Sequence, residues 1–270
     1  MSNFEEKFGS LSRVYGDEVF SIIRASHICI VGVGGVGSWV AEALVRSGVG
    51  KITLVDGDTV SNSNMNRQIH TLDASIGLAK TEVMLERMQQ INAECIVKTI
   101  NEYMHEKNLR DILLRDYQET DFDGVIDAID NIKVKSAMIY CCKRNKIPII
   151  TTGGAGGLTD PAKIEIKDLS RTWNDPLAAA VRLRLRQQHN FARNLKRSFG
   201  VPCVYSTQQQ CYPDKDGKPG FSKPGVAGLS LDCNYGYGSS VMVTASFGFA
   251  AAAKMIDILV KKNLPNLPNL

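Results

Sequence analysis

The stretch ICIVGVGGVGSWVAEALVRSGVGKITLVDGD, residues 28–58, restricts what this chain can fold into more than any other. The apolar run HICIVGV suits a strand covered on both faces, as in a parallel sheet. Gly32, Gly34 and Gly37 follow in G-x-G-x-x-G spacing, and a helix is predicted from Ser38 to about Ser47. Glycines between a strand and a helix let phosphate approach the backbone N–H groups at the helix N-terminus, where the peptide dipoles favour negative charge. KITLVD is the next strand, and Asp56 at its end is placed to accept hydrogen bonds from a ribose. The pattern to this point indicates a dinucleotide or an adenosine nucleotide without choosing between them.

The flanking sequence repeats the strand and helix periods. Residues 17–25 read as a short amphipathic helix, and SNSNMNRQIHTLDASIG is too rich in Asn and Ser for regular structure, so it is a long crossover loop. LAKTEVMLERMQQIN is helical, CIVKTINEYM reads as a strand leaving the sheet, and FDGVIDAID is a buried strand ending in acid. VKSAMIYCCKRNKI and PIITTGGAGG add a helix and a strand. This alternation predicts an α/β fold with a doubly wound, mostly parallel sheet that binds ligands at the carboxyl ends of its strands. After Asp160 the texture changes to an exposed strand, AKIEIKDLS, a basic helix over 177–199 and a Pro/Gly/Lys turn region over 211–225. A single domain is expected over 1–260, with a nucleotide-binding half, 1–160, a C-terminal elaboration, 161–260, and a flexible tail, 261–270.

The residues after Asp56 choose the ligand. Arg67 in NRQ and Lys80 in GLAK follow the ribose-binding strand. A triphosphate carries more negative charge than a pyrophosphate, and a helix end supplies only about half a unit of positive charge, so cations are required. Asp130, in DAIDN, ends a buried strand and suits Mg²⁺ held against phosphate. Together they specify ATP and Mg²⁺ better than NAD; an NAD-dependent oxidoreductase leaves Arg67, Lys80 and Asp130 without work.

In the order GVGGVGS, VDGD, NRQ, GLAK and DAIDN, the chain resembles the superfamily of ubiquitin-activating and ThiF/MoeB-type adenylating enzymes, from Arg13 to the end of TTGGAGG. The resemblance implies a Rossmann-like adenylating fold. It also implies that Gly32, Gly34, Gly35 and Gly37 cradle the phosphates, Asp56 binds ribose, Arg67 and Lys80 contact the triphosphate, and Asp130 organises Mg²⁺. Asp58, Asn64, Gln68 and Asn131 complete the implied nucleotide site. Arg13, in LSRVYG, resembles the arginine that dimers of the superfamily insert into the neighbouring subunit's site, which implies a homodimer. Activators of sulfur-carrier proteins usually show two C-x-x-C pairs, and this chain has none. TTGGAGG, DPLAAAVRLRLR, VPCVYST and LDCNYGYGSSVMVTASFGFAAA instead resemble the tRNA threonylcarbamoyladenosine dehydratase branch, with matches to about residue 253. The implied reaction is adenylation of the threonylcarbamoyl carboxylate on a tRNA adenosine beside the anticodon, then ring closure with loss of AMP. The alternative is an activator of a ubiquitin-like or sulfur-carrier protein ending in Gly-Gly.

Charge supports a tRNA partner. The net charge of +4 alone demands none, yet Pro176 to Pro213 holds no Asp or Glu while Arg182, Arg184, Arg186, Arg193, Lys196 and Arg197 supply six cations. Cys233 has two readings, a nucleophile that takes the acyl group as a thioester or a lining thiol. Direct closure by the tethered carbamoyl nitrogen needs no covalent intermediate and is preferred. The odd count of seven cysteines and the absence of C-x-x-C indicate reduced thiols. MSNFEEKFGS lacks a basic n-region followed by an apolar h-region, so a cytoplasmic location is expected. The uncharged span 233–253 carries three glycines and scattered polar residues and is not expected to insert stably in a membrane. His27, His70, His105 and His189 show no ligand or general-base spacing and receive no role. A sulfur-transfer partner protein is left open.

Overall fold

All five residues of the first strand, β1 (His27–Val31), are buried. Ile28 and Ile30 join one apolar cluster and Cys29 and Val31 the other, because successive side chains of a strand point to opposite faces. Both faces of the sheet are therefore covered, as the continuous apolar run requires. The computed structural model describes residues 3–114, 122–214, 216–221 and 238–267. Two helices, α1 (Asn3–Tyr15) and α2 (Asp17–Ala25), precede β1. The chain continues through α3 (Gly37–Arg46), β2 (Lys51–Val55), α4 (Lys80–Ile91), β3 (Ile96–Ile100), α5 (Leu109–Leu113), β4 (Gly124–Asp127), α6 (Ile132–Arg144) and β5 (Ile149–Thr152). It ends with β6 (Ile164–Asp168), α7 (Pro176–Gln188), β7 (Pro202–Ser206), a small ladder of β8 (Tyr212–Pro213) with β9 (Pro219–Gly220), and α8 (Val241–Asn263).

The sheet runs β3-β2-β1-β4-β5-β7-β6. Every pairing is parallel except β6 with β7, where Ile164 lies opposite Ser206 and Asp168 opposite Pro202. The strand order reverses beside β1, which pairs with β2 on one side, Val31 opposite Val55, and with β4 on the other, Val31 opposite Asp127. The carboxyl ends of β1 and β4 thus flank a topological switch point, where open α/β sheets bind ligands. One face of the sheet is packed by α2, α3, α4 and α8, the other by α5, α6 and α7.

Several sequence expectations change. β3 does not leave the sheet: Ile96 to Ile100 pair in register with Lys51 to Val55 and form its edge. The helix expected over 177–199 stops at Gln188, because Asn190 adopts a left-handed φ of 55° and Phe191 folds back edge-on against Phe199. Within the uncharged span 233–253, the described residues from Val241 onward form a core helix. Along α8, Val243, Phe247, Ala251, Met255 and Leu259 form a buried stripe at helical spacing. The segment expected to be flexible from 261 begins inside α8, and Leu264 and Leu267 pack against the same core.

Candidate functional site

The turn after β1 is built by backbone geometry that only glycine permits. Gly32 has a φ of 88°, and a Cβ on Gly37 would lie 1.7 Å from the Gly32 carbonyl oxygen. This close approach swings the chain into α3, whose N-terminus has no side-chain cap and no acid in its first turn. Ser38 N and Trp39 N turn back to Gly34 O and Val36 O, both at 3.1 Å, so it is the turn just ahead of them, at the positive end of the helix dipole, that is left for an anion. Above the turn the space is open: a Cβ on Gly34 would meet only Gln68 Nε2, at 3.9 Å, and one on Gly35 would touch the Arg67 side chain at 3.4 Å.

Asp56 directly follows β2 and fastens the turn, accepting from Val33 N at 2.6 Å and from Asp58 N at 2.8 Å. A carboxylate has about four acceptor sites, so both oxygens keep capacity for a ribose hydroxyl. The crossover loop then brings the cations back over the turn. The Arg67 guanidinium donates to Ser63 O at 2.7 Å and Asn66 Oδ1 at 3.1 Å, while Trp39 Nε1 donates to the Arg67 carbonyl at 2.9 Å. Asn64 is buried and accepts from Ser61 N at 3.1 Å, which shapes this loop. Lys80 opens α4 with its side chain 6% exposed and its Nζ 2.8 Å from Asp58 Oδ2. Burial pushes the Asp58 carboxyl up, but hydrogen bonds from Lys80 and Tyr103 outweigh it and leave the group below its ordinary value. Gln68 is buried, and its Oε1 has no protein partner. An open cradle, an uncapped helix, two cations and an orphaned carboxamide together fit a nucleotide triphosphate.

Across the switch point, Asp130 is exposed in the turn after β4, and Asn131 caps α6 by accepting from Lys133 N and Val134 N. Asp130 has no cluster of metal-ligating neighbours among the described residues. A lone carboxylate suits Mg²⁺, which is held by one or two carboxylates together with substrate phosphates.

Sequence reasoning missed the pair beneath this turn. Asp127 and Lys135 are 0% and 1% exposed with Nζ 3.0 Å from Oδ1. Lys135 Nζ also donates to Ile129 O at 2.9 Å, and Thr151 Oγ1 donates to Asp127 Oδ2 at 2.7 Å. Burial raises the Asp127 carboxyl and Lys135 only partly offsets it. The pair is a clamp that sets the turn presenting Asp130. A lysine inside the buried helix face of Val134, Met138 and Ile139 is the signal that could have revealed it.

The six cations assigned to RNA divide into two groups. Arg182 donates to Thr172 Oγ1, Arg184 lies 3.9 Å from Glu106, and Arg186 sits 5.3 Å over the Phe199 ring. These three brace α7. Arg193, Lys196 and Arg197 are exposed. They follow α7, which starts beside Gly154 at the carboxyl edge and runs back about 20 Å, so they lie at the opposite edge from the cradle. A cavity of about 720 Å³ lined by Lys143, Lys146, Lys167 and Lys254 also opens at that far edge, away from the switch point. Arg13 is exposed in the last turn of α1. Cys233 lies outside the described residues. Cys29 and Cys95 are buried free thiols pushed up to about 12 by burial, which makes them poor nucleophiles.

A glycine cradle at the switch point of a doubly wound sheet, with two cations on the crossover, defines a nucleotide-binding α/β protein, and the chain belongs to the ThiF family, whose model matches residues 9–270. Its relatives over nearly the whole length are tRNA threonylcarbamoyladenosine dehydratases. That of Haemophilus influenzae is 46% identical over 262 residues, 97% of this chain and 96% of the relative. That of Escherichia coli is 45% identical over 260 residues, 96% and 95% of the two chains. The solved structure of the E. coli tRNA N6-threonylcarbamoyladenosine dehydratase in complex with ATP matches with a TM-score of 0.86 and 41% identity, covering 99% of each chain.

Proposed function

We propose that this chain is an ATP-dependent tRNA threonylcarbamoyladenosine dehydratase, which adenylates the threonylcarbamoyl carboxylate on the adenosine next to the anticodon and closes it to the cyclic form with release of AMP. The observation that carries this reading is the open glycine cradle, with Arg67 beside it, at the switch point of a chain whose whole length, elaboration included, follows the dehydratases. ATP supplies the adenylyl group that activates the carboxylate. The N–H groups of the glycine turn leading into α3, with Gly32, Gly34, Gly35 and Gly37 giving access, hold phosphate oxygens, and Arg67 and Lys80 offset their charge as pyrophosphate departs. Lys80 exchanges its Asp58 contact for phosphate in this reading. Asp56, Asn64, Gln68 and Asn131 fix the nucleoside side of the site, and Asp130 holds Mg²⁺.

Closure needs no protein nucleophile, because the carbamoyl nitrogen is tethered beside the activated carbonyl. Arg193, Lys196 and Arg197, at the far edge of the sheet, serve the tRNA body rather than the reacting nucleoside. The working form in this reading is a cytoplasmic homodimer in which Arg13 completes the neighbouring site, with 1–160 and 161–260 acting as one domain. Asp130→Ala tests the chemistry: ATP–pyrophosphate exchange in the presence of substrate tRNA is expected to vanish while the melting temperature holds. Full exchange in the folded variant refutes the metal role.

A further inference from the structure

The chain has two tryptophans, and they are used differently. Trp39 is half-buried with its Nε1 bonded to the Arg67 carbonyl, whereas Trp173 is 50% exposed on the rim at the carboxyl edge of the sheet. A single exposed aromatic is ordinary on a protein surface. What distinguishes Trp173 is the construction of the rim around it. Asn174 takes a left-handed φ of 54° and donates its Nδ2 to Thr207 O at 3.0 Å, just past the end of β7. Asp175 is buried, accepts from Gly154 N at 3.0 Å just past the end of β5, and caps α7 by accepting from Ala178 N at 2.8 Å. Thr172, on the other side, is buried and receives the Arg182 guanidinium. Thr172 on one side and Asn174 and Asp175 on the other are thus tied down while the indole between them stays half-exposed.

We infer that Trp173 is a positioning residue on which a base of the anticodon loop stacks next to the reacting adenosine; the inference rests on the dehydratase reading. β7 is two strands from β4 and three from β1, which places the rim on the order of 10–15 Å from Asp130 and the cradle at about 4.8 Å per strand. A few nucleotides of extended loop span that distance. Recognition of single-stranded RNA stacks bases on aromatic platforms and meets their edges with polar groups, and the Gln209 carboxamide and Asn174 Oδ1 lie on the same rim. A rigid platform also loses little entropy when a base arrives.

The test uses the full chain with tRNA carrying linear threonylcarbamoyladenosine, comparing Trp173→Ala and Trp173→Phe. Loss of one base stack corresponds to roughly 5- to 150-fold in binding. Trp173→Ala is therefore expected to raise KM for tRNA by that factor while KM for ATP is unchanged, and Trp173→Phe to recover most of it. Tryptophan emission of the wild type is expected to be quenched by tRNA without ATP, and the quench to be lost in Trp173→Phe, whose remaining Trp39 lies at the nucleotide site. A KM for tRNA within two-fold of wild type in Trp173→Ala, or a quench that persists in Trp173→Phe, overturns the inference alone. Failure of the wild type to convert the tRNA at all overturns the dehydratase reading and the inference with it.

Discussion

Lys135→Met tests how the turn bearing Asp130 is held. In the wild type both members of the Lys135–Asp127 pair are out of water, 3.0 Å apart, and Lys135 also donates to the Ile129 carbonyl. Methionine matches the length of the stem but removes the ammonium. Asp127 then keeps only the Thr151 hydroxyl at 2.7 Å and a long bond from Ile129 N at 3.4 Å. Breaking one side of a buried pair costs about 3–5 kcal/mol, because the remaining charge is stranded. For a chain of this length that corresponds to a fall in Tm of roughly 6–20 °C. Urea unfolding followed by circular dichroism measures it. The sign of the pH dependence is fixed. Without its partner, the Asp127 carboxyl has a folded-state pKa raised further above its unfolded value, so the deficit of the variant is largest above that pKa and shrinks as pH falls and the group takes a proton. The double variant Asp127→Leu with Lys135→Met removes both charges and is expected to recover most of the loss. A cost below about 1 kcal/mol in the single variant, against the 3–5 expected, refutes the clamp.

His70 is buried with both ring nitrogens lacking a partner, and burial, with smaller contributions from Lys80 and Arg87, lowers its pKa from 6.5 to about 4. The unfolded chain takes up that proton first as pH falls, so stability is expected to drop by about 2 kcal/mol from pH 7 to pH 5, and His70→Leu to flatten this slope; an unchanged slope in the variant contradicts it. Replacing Arg193, Lys196 and Arg197 together by Ala is expected to weaken tRNA binding and to reduce the slope of log K against log salt by about 2–3, as read by filter binding. The same slope in the triple variant removes these residues from the RNA surface.

The nucleotide half of this fold was legible because its constraints are local. A strand buried on both faces must be continuously apolar, and the tight turn after it needs glycine at 32 and 37, so residues 27–46 announce both the element and the ligand edge. Long-range pairing was not legible. The Asp127–Lys135 clamp joins the end of a strand to the second turn of a helix, and its energetics depend on burial that neither segment displays alone. The basic run after 176 looked uniform, yet Arg182, Arg184 and Arg186 are spent on Thr172, Glu106 and Phe199, contacts that only the folded chain brings together. Its helical period also hid the stop at Gln188, which depends on the left-handed Asn190 and on the packing of Phe191 against Phe199. The uncharged apolar run that enters α8 is long enough to resemble a membrane span because a core helix packed on a sheet is apolar over a similar length.

The central claim is that the cradle serves tRNA cyclisation. It is tested most directly by incubating the purified chain with Mg²⁺, ATP and tRNA carrying linear threonylcarbamoyladenosine, then weighing the released nucleosides. The account predicts AMP formation together with loss of one water from that nucleoside, dependent on ATP. ATP binding with no AMP and no change of mass contradicts it, and would instead favour adenylation of a protein C-terminus.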